Sequence, residues 1–461
     1  MKTRILTFAL CAAGALATAH PAAPAPQPAV PAADAPAPQP ADGTPWTLDA
    51  CIDYARRNNT EVQQRALQVE QQENDLATAR YSRLPAVSAS VGYNASFGRG
   101  TSADNTYKTE TLQTGSFDVG ASMPLFEGFR INREIAGARL DLAAAVQDLE
   151  RAREDVAVRV MTLYLQALFQ KELVGIAERQ LALSASQSDR SRELAAAGRQ
   201  PESAVYESEA LRANDALALT QARNDLQLAL LDLSQALNRE SAAGFDIATP
   251  RLDSLSLEAL HRLGTADEVY AYAVEYRPAI RAERLRLERS EYTVRTARSA
   301  LYPSLSLRGG YGTGVYSSME EGFGTQFRRN GSEFVGVSMS IPIFNRRATR
   351  GSIRTAQIAA RTQQLALVEA ERSLRKEIEQ AWYNADAAYV KYRSAGTALA
   401  AARIAFAYEE RKAAAGRSTL FDFNDAKTRM QKAESELAQA KFEFVFRAKI
   451  LDYYRGAPLR L

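Results

Sequence analysis

The chain has 461 residues, with 57 Lys and Arg against 54 Asp and Glu, a formal net charge of +3. So near a balance excludes a global electrostatic pull toward nucleic acid. The only histidines are His20 and His261, and no His/Cys cluster, nucleophile motif or phosphate loop occurs. These absences argue against an enzyme, a metal centre or a bound cofactor.

At the N-terminus, Lys2 and Arg4 precede an apolar run from Ile5 to Ala17, and Ala17-Thr18-Ala19 is a small-x-small cleavage site. Residues 1–19 therefore read as a secretory signal peptide. Leu10 is too bulky for Cys11 to belong to a lipobox, so cleavage leaves Cys51 as the sole cysteine and no internal disulfide can form. Residues 20–45 are almost wholly Pro, Ala and Gln, an extended tether with nothing to bury. No later stretch approaches the ~20 apolar residues of a membrane-spanning helix. Such an exported chain either stays in the periplasm or enters the outer membrane as strands.

The mature sequence is a duplication. Asp49–Asn94 resembles Asp267–Gly312, and Pro85 answers Pro303, a shift of 303 − 85, or 218 positions. The same shift carries Pro124 to Pro342, Phe126 to Phe344, Tyr164 to Trp382 and Ala197-Gly198-Arg199 to Ala415-Gly416-Arg417. A period so long means two copies of one complete unit rather than a solenoid. The first repeat spans 46–245 and the second 266–461, with a linker at 246–265.

Each copy follows one order. A polar stretch with scattered apolar positions, about 47 to 84 in the first copy, predicts a helix. After Pro85 the period becomes two: Val87, Ala89, Val91, Tyr93, Ala95 and Phe97 alternate with Ser88, Ser90, Gly92, Asn94, Ser96 and Gly98. A polar loop at 99–110 and a return strand follow. In the return strand Phe117, Val119, Ala121 and Met123 oppose Ser116, Asp118, Gly120 and Ser122, and Pro124 is expected to end it. The second copy repeats the pattern at 305–315 and 335–341.

Beyond Gly128 the pattern turns helical. Ile135, Leu142, Leu149, Val156 and Leu163 recur seven apart, with Ala138, Ala145 and Ala152 as a second row, a coiled-coil seam. A helix over 129–197 would be about 100 Å long. Glycine after a helix and proline at the start of the next mark a tip at 197–199 and a return from Pro201 to Asn238.

Two hairpins supply four strands, apolar on one face and rich in Ser, Gly, Asn, Asp and Arg on the other. That is the lipid-out, lumen-in signature of an outer-membrane barrel. Four strands cannot close a barrel, and open edges cannot face lipid. The chain must finish its barrel with other copies, eight strands as a dimer or twelve as a trimer.

The order of helix, hairpin, long helix, glycine tip and return helix, given twice, resembles the TolC family of outer-membrane efflux proteins over about Trp46 to Ala457. The segments that carry it are WTLDACIDYARRNN, RLPAVSASVGY with LYPSLSLRGGY, SMPLFEGF with SIPIFNRR, and the stretch from AAAGRSTLFDFNDAKTRM through FRAKILDYYRG. The resemblance implies an α+β membrane protein: a homotrimer in the outer membrane of a Gram-negative bacterium. Its twelve-stranded barrel would continue into a periplasmic α-helical coiled-coil barrel. It implies a periplasmic adaptor and an inner-membrane transporter as partners, outer-membrane lipid around the barrel, and passive conduction of small toxic solutes or drugs. A type I protein-secretion duct is the alternative within transport, and a periplasmic coiled-coil scaffold the alternative outside it.

No catalytic or metal-binding residue is implied. By resemblance Asp422 and Asp425, three apart on one helix face, ring the periplasmic aperture. The positions that match them in the first repeat hold Ala204 and Glu207. Ala204 cannot make the acidic half of an ionic closure that the family uses there. On their own, the two aspartates also suit the first turn of a helix, whose dipole favours negative charge. Gly198, Arg199, Gly416 and Arg417 are, by the same resemblance, the tips that meet the adaptor.

Overall fold

A computed structural model describes residues 45–101, 106–250, 264–319, 321–415, 417–457 and 459. The signal peptide at 1–19, all but the last residue of the tether at 20–45, His261 and Gly416 lie outside the described residues. In chain order the elements are α1 (Leu48–Asn58), α2 (Thr60–Tyr81), β1 (Ala86–Thr101), β2 (Tyr107–Glu127), α3 (Arg130–Ala196) and α4 (Glu202–Ala236). The second repeat gives α5 (Ala266–Tyr276), α6 (Pro278–Ser299), β3 (Ser304–Tyr316), α7 (Phe323–Arg329), β4 (Ser332–Ser340), α8 (Ala348–Ala414) and α9 (Leu420–Tyr454). Both long helices have 67 residues and both return helices 35. Among the described residues, no helix is long and apolar enough to cross a membrane.

The first helix of each copy is broken rather than continuous. Asn59 leaves helical space (ψ 130) between α1 and α2, and Arg277 (ψ 129) does so between α5 and α6. Pro278 has no N–H to donate and pushes Arg277 into extended backbone. Asn59 reaches the same geometry by capping: its side-chain oxygen accepts from the Glu61 N–H at 2.9 Å.

The four strands form one antiparallel meander in the order β1-β2-β3-β4. Two boundaries differ from expectation. The stretch at 99–110 is mostly ladder, with Arg99 opposite Thr109 and Thr101 opposite Tyr107. Main-chain pairing needs no apolar face, so the hairpin runs on as a polar ribbon. Pro124 does not end β2 either; it sits at a register shift between Pro124 and Phe126, and the strand continues to Glu127. A bulge is one of the few places a ladder accepts a residue without an N–H.

The core lies where the short helices meet the long ones. Cys51, Ala55, Val62, Val156 and Val160 in the first copy are buried, and so are their equivalents Val269, Ala273, Ile280, Leu374 and Ile378 in the second. Burial pushes the Cys51 thiol up to about 12, so it stays protonated and unreactive. A clamp repeats as well. Trp46 pairs with Ile247 in a parallel bridge, and the Tyr164 hydroxyl reaches Ala248 O at 2.7 Å and Trp46 O at 3.1 Å. In the second copy the Trp382 indole N–H donates to Gly264 O at 2.9 Å, at the positions equivalent to 164 and 46.

Replacing Tyr164 with Phe should therefore leave the Ala248 carbonyl without the hydroxyl donor, while Trp46 O keeps the Ala248 N–H at 2.9 Å. A loss of about 1–3 kcal/mol is expected, read as a lower thermal midpoint of the periplasmic helices by circular dichroism. An unchanged midpoint would deny the clamp a structural role.

Candidate functional site

The register assigns every strand residue to one of two faces. Val91 lies opposite Phe117, which lies opposite Thr313; Ala89, Val119 and Tyr311 form the next row, and Ala121, Gly309 and Val335 continue it. One face is thus mainly apolar in these rows, with Thr313 and, opposite Tyr311, Glu333 as polar members. The other runs through Ser90, Asp118 and Gly312, through Ser88, Gly120 and Gly310, and through Ser122, Arg308 and Gly336. Small side chains leave this face open, as a conduit wall requires. Phe334 breaks the alternation by falling on the polar face. It lies against Gly310, where a Cβ would come within 2.9 Å of its ring. Only glycine lets the aromatic ring shield the backbone there.

At the outer end of the second hairpin, α7 folds over the apolar face. Phe323 and Phe327 meet Phe117 edge-on, with centroids 6.2 and 5.3 Å away. Gln326 is buried; its side chain accepts from Tyr316 N–H at 2.8 Å and donates to Tyr316 O at 3.2 Å. Arg329 at its end pairs with Glu321.

The helical tips differ between the copies. In the first, Gly198 takes φ +67 with open space around it, and the Arg199 N–H donates back to Leu194 O at 2.8 Å. This closes α3 with the left-handed cap for which glycine is suited. Just beneath, Arg192 grips Glu209 through Nε (3.0 Å) and Nη2 (2.8 Å), tying α3 to α4. In the second copy the Arg417 N–H makes the matching bond to Lys412 O at 2.9 Å. The residues at the Arg192 and Glu209 positions, however, are Glu410 and Lys427, and Lys427 turns elsewhere.

Lys427 Nζ donates to Asp215 Oδ2 at 2.6 Å, with only 3 % and 11 % of the two side chains exposed. Near its tip the first hairpin is held by its own arginine; the second has its Arg403–Glu434 pair farther along its helices and is joined to the first by this buried ion pair and by Arg190, which donates to Ala414 O at 3.0 Å. Sequence reading missed this pair. Its one signal is that Phe423 and Lys427, four apart, share a buried face, so a lysine stands in a core row.

Asp422 is exposed and serves the first turn of α9: it accepts from the Thr419 hydroxyl at 2.7 Å while its N–H donates to Thr419 Oγ1 at 3.1 Å. Asp425 is half-buried and pairs with Arg429 at 2.9 Å. The two lie on one side of the helix, and the capping role read from the residues alone is present. Beside them Glu409 accepts from Lys412 at 2.5 Å and from the Ser418 hydroxyl at 3.0 Å. Lys412 first, then Ser418, hold its carboxyl below the usual range.

The sequence profile of the outer membrane efflux protein family matches residues 51–239 and 269–444. The outer membrane efflux protein BepC of Brucella suis is 24% identical over 401 residues, covering 87% of this chain and 83% of that protein. The pyoverdine export outer membrane protein OpmQ of Pseudomonas putida is 29% identical over 413 residues, with coverage of 85% and 82%. In fold, the chain superposes on the Campylobacter jejuni CmeC outer membrane channel with a TM-score of 0.74 at 17% identity, covering 89% of this chain and 85% of that one.

Two outcomes are expected at the tips. Lys427→Met strands Asp215 as a buried, uncompensated charge, a loss of about 3–5 kcal/mol, whereas adding Asp215→Leu should recover most of it in chemical denaturation. Equal stability of the single and double variants would refute the linkage. Glu409, with its carboxyl held low, stabilises the second tip at neutral pH and loses that contribution as pH falls below the ordinary glutamate value of 4.5. Amide exchange at 410–415 should quicken on acidification in the native protein, and this step should vanish in Glu409→Gln.

Proposed function

Because the chain belongs to the outer membrane efflux protein family, we propose that three copies of it close a single duct, a twelve-stranded barrel above a periplasmic tube of coiled helices. The family makes it an outer-membrane efflux channel of a Gram-negative cell, with a large periplasmic part. The observation that carries the multi-copy reading is the four-strand sheet itself, and the choice of three copies over two follows the family. The sheet is mainly apolar on one face and small and polar on the other, and it ends in two strands, β1 and β4, each with one open edge. Such a sheet in lipid needs its edges paired by further copies.

The duct takes its cargo from an inner-membrane transporter through a periplasmic adaptor that meets the tips at Gly198-Arg199 and Gly416-Arg417. Cargo is small toxic solutes or drugs. The channel has no catalytic part to play. BepC is described as an efflux protein and OpmQ as a pyoverdine exporter, which supports small-solute export. Asp422 and Asp425 gather at the aperture, where three copies bring several carboxylates toward one axis and attract cations. Ala204 gives the first hairpin no carboxylate at the matching place, so closure relies on another link. The buried Lys427–Asp215 pair supports that role.

Detergent-extracted envelopes should yield a heat-labile trimer on gels, monomeric after boiling; a soluble periplasmic monomer would sink the duct. In planar bilayers, exchanging Asp422 and Asp425 for Asn should weaken block by divalent cations several-fold. Unchanged block would remove the two aspartates from the aperture.

A further inference from the structure

On the polar face of the sheet, charges and rings line up along one strand. Gly310, Gly312 and Gly314 of β3 point to that face, each two residues on from the last. Each is overlain by a side chain lying where a Cβ would project. A Cβ at Gly310 would come within 2.9 Å of the Phe334 ring, and one at Gly312 within 2.6 Å of Asp118 Oδ1. One at Gly314 would come within 2.9 Å of the Tyr316 hydroxyl. Arg308 stands one step before them on the same face, between Ser122 and Gly336. Along β3 the column therefore reads cation, ring, carboxylate, ring.

The surroundings keep this column open. Phe334 is 59 % exposed. A Cβ at Gly120, across Gly310 from it, or at Gly336, next on its own strand, would meet nothing within 4 Å. Arg308 and Asp118 are both exposed, and among the described residues neither side chain has an ion pair or a hydrogen bond. Asp118 lies opposite Gly312, four residues from Arg308, or about 13 Å along the strand. The two charges are too far apart to satisfy each other. Shielding of the Gly310 backbone accounts for the ring but not for an unpaired charge on either side of it.

We infer that this column is a cargo subsite for planar aromatic solutes with an acid at one end and an amine at the other. It rests on the duct reading, which makes the polar face the lumen, and adds the class of cargo that lingers there. The Arg308 guanidinium forks onto the carboxylate with two parallel N–H donors. The aromatic system stacks on Phe334 above the bare glycine floor, which leaves room for an offset arrangement. The ammonium meets Asp118, whose carboxylate already lies over Gly312. Both ion pairs stay in water, where each contributes little. Such weak contacts suit a conduit, whose cargo must leave as readily as it binds. A solute with one charge engages half of the column.

The test uses the full chain with Phe334→Trp in lipid nanodiscs, with the wild type and its two tryptophans as background. Acrylamide should quench the introduced indole and brominated lipid should not. The reverse would put this face against lipid and overturn the duct reading and the subsite together. With the face in water, 6-(aminomethyl)-2-naphthoate should shift the indole emission at several-fold lower concentration than 2-naphthoate or 2-(aminomethyl)naphthalene. Adding Arg308→Gln should weaken the zwitterion and 2-naphthoate several-fold and spare the amine; adding Asp118→Asn should weaken the zwitterion and the amine and spare 2-naphthoate. Equal affinities for the three probes, or losses that ignore which charge was removed, would overturn the subsite and leave the duct standing. The naphthalene emission of the probes reads the same titrations on the chain with Phe334 in place. There Phe334→Ala should weaken the zwitterion several-fold, and retained affinity would refute the stacking site.

Discussion

A strand in lipid cannot leave a peptide N–H or C=O unpaired, since each such group costs several kcal/mol. The four-strand sheet has two edges that break this rule, and the rest of the molecule follows from how they are resolved. A single chain with four strands is too narrow to close. Duplication of a helix–hairpin–helix unit doubles the strands per chain and gives β2 a partner in β3 across the repeat boundary. That junction shows, inside one chain, the join that copies must make with each other at β4 and β1. The helices carry the same constraint into the periplasm in a milder form, because water satisfies their exposed faces while apolar faces still seek a neighbour.

Much of this architecture could be read from the residues. The constant shift of 218 positions predicted equal long helices, and their bounds coincide after that shift to the residue. The alternation at Val87–Phe97 predicted a strand whose faces the register then sorted into a mainly apolar side, with Gln113 and Thr111 opposite its outer end. Other features were hidden for physical reasons. The helix break at Asn59 leaves no trace in hydrophobic period, because capping depends on one side-chain oxygen rather than on a pattern; at Arg277 the following proline was the legible clue. The ribbon at 99–110 looked like a loop because polar residues on both faces obscure a ladder made by the main chain. Helix α7 sits in a turn too short and irregular for periodicity to mark it. At the candidate aperture, the aspartates and the left-handed cap were visible, whereas the Lys427–Asp215 pair joins residues 212 apart and needed the packed structure.

The two copies are alike where the fold needs them alike and differ where a trimer would need them to. Core positions match where the short helices meet the long ones, as Cys51, Ala55 and Val62 do with Val269, Ala273 and Ile280, and even the clamp survives a change of donor from the Tyr164 hydroxyl to the Trp382 indole. The kink residue of each copy reaches toward the C-terminus of its return helix: Asn59 donates to Ala236 O at 3.0 Å, while Arg277 stacks 3.6 Å above the Tyr453 ring. Divergence concentrates at the tips and on the flanks. A sixfold arrangement of identical units would have to open or close everywhere at once. Near the tips the repeats are unequal: one hairpin is braced by Arg192 and Glu209, while the other lacks that brace and sends Lys427 across to Asp215, its own Arg403–Glu434 pair lying farther along the helices.

That inequality sets the direction of any motion. A self-braced hairpin is a poor hinge, because moving it strains its own ladder of contacts. A hairpin joined to its neighbour through Lys427–Asp215 and Arg190–Ala414 O could swing only once both contacts were exchanged, with the carboxylate left behind met by water or another cation. If the tips ring the proposed aperture, such a swing would widen it and leave the core around Tyr164, far along the helices, undisturbed. Opening by local exchange at these contacts would cost about a few kcal/mol rather than the unfolding of a domain. A partner that binds the tips can supply that much through differential affinity for the open form.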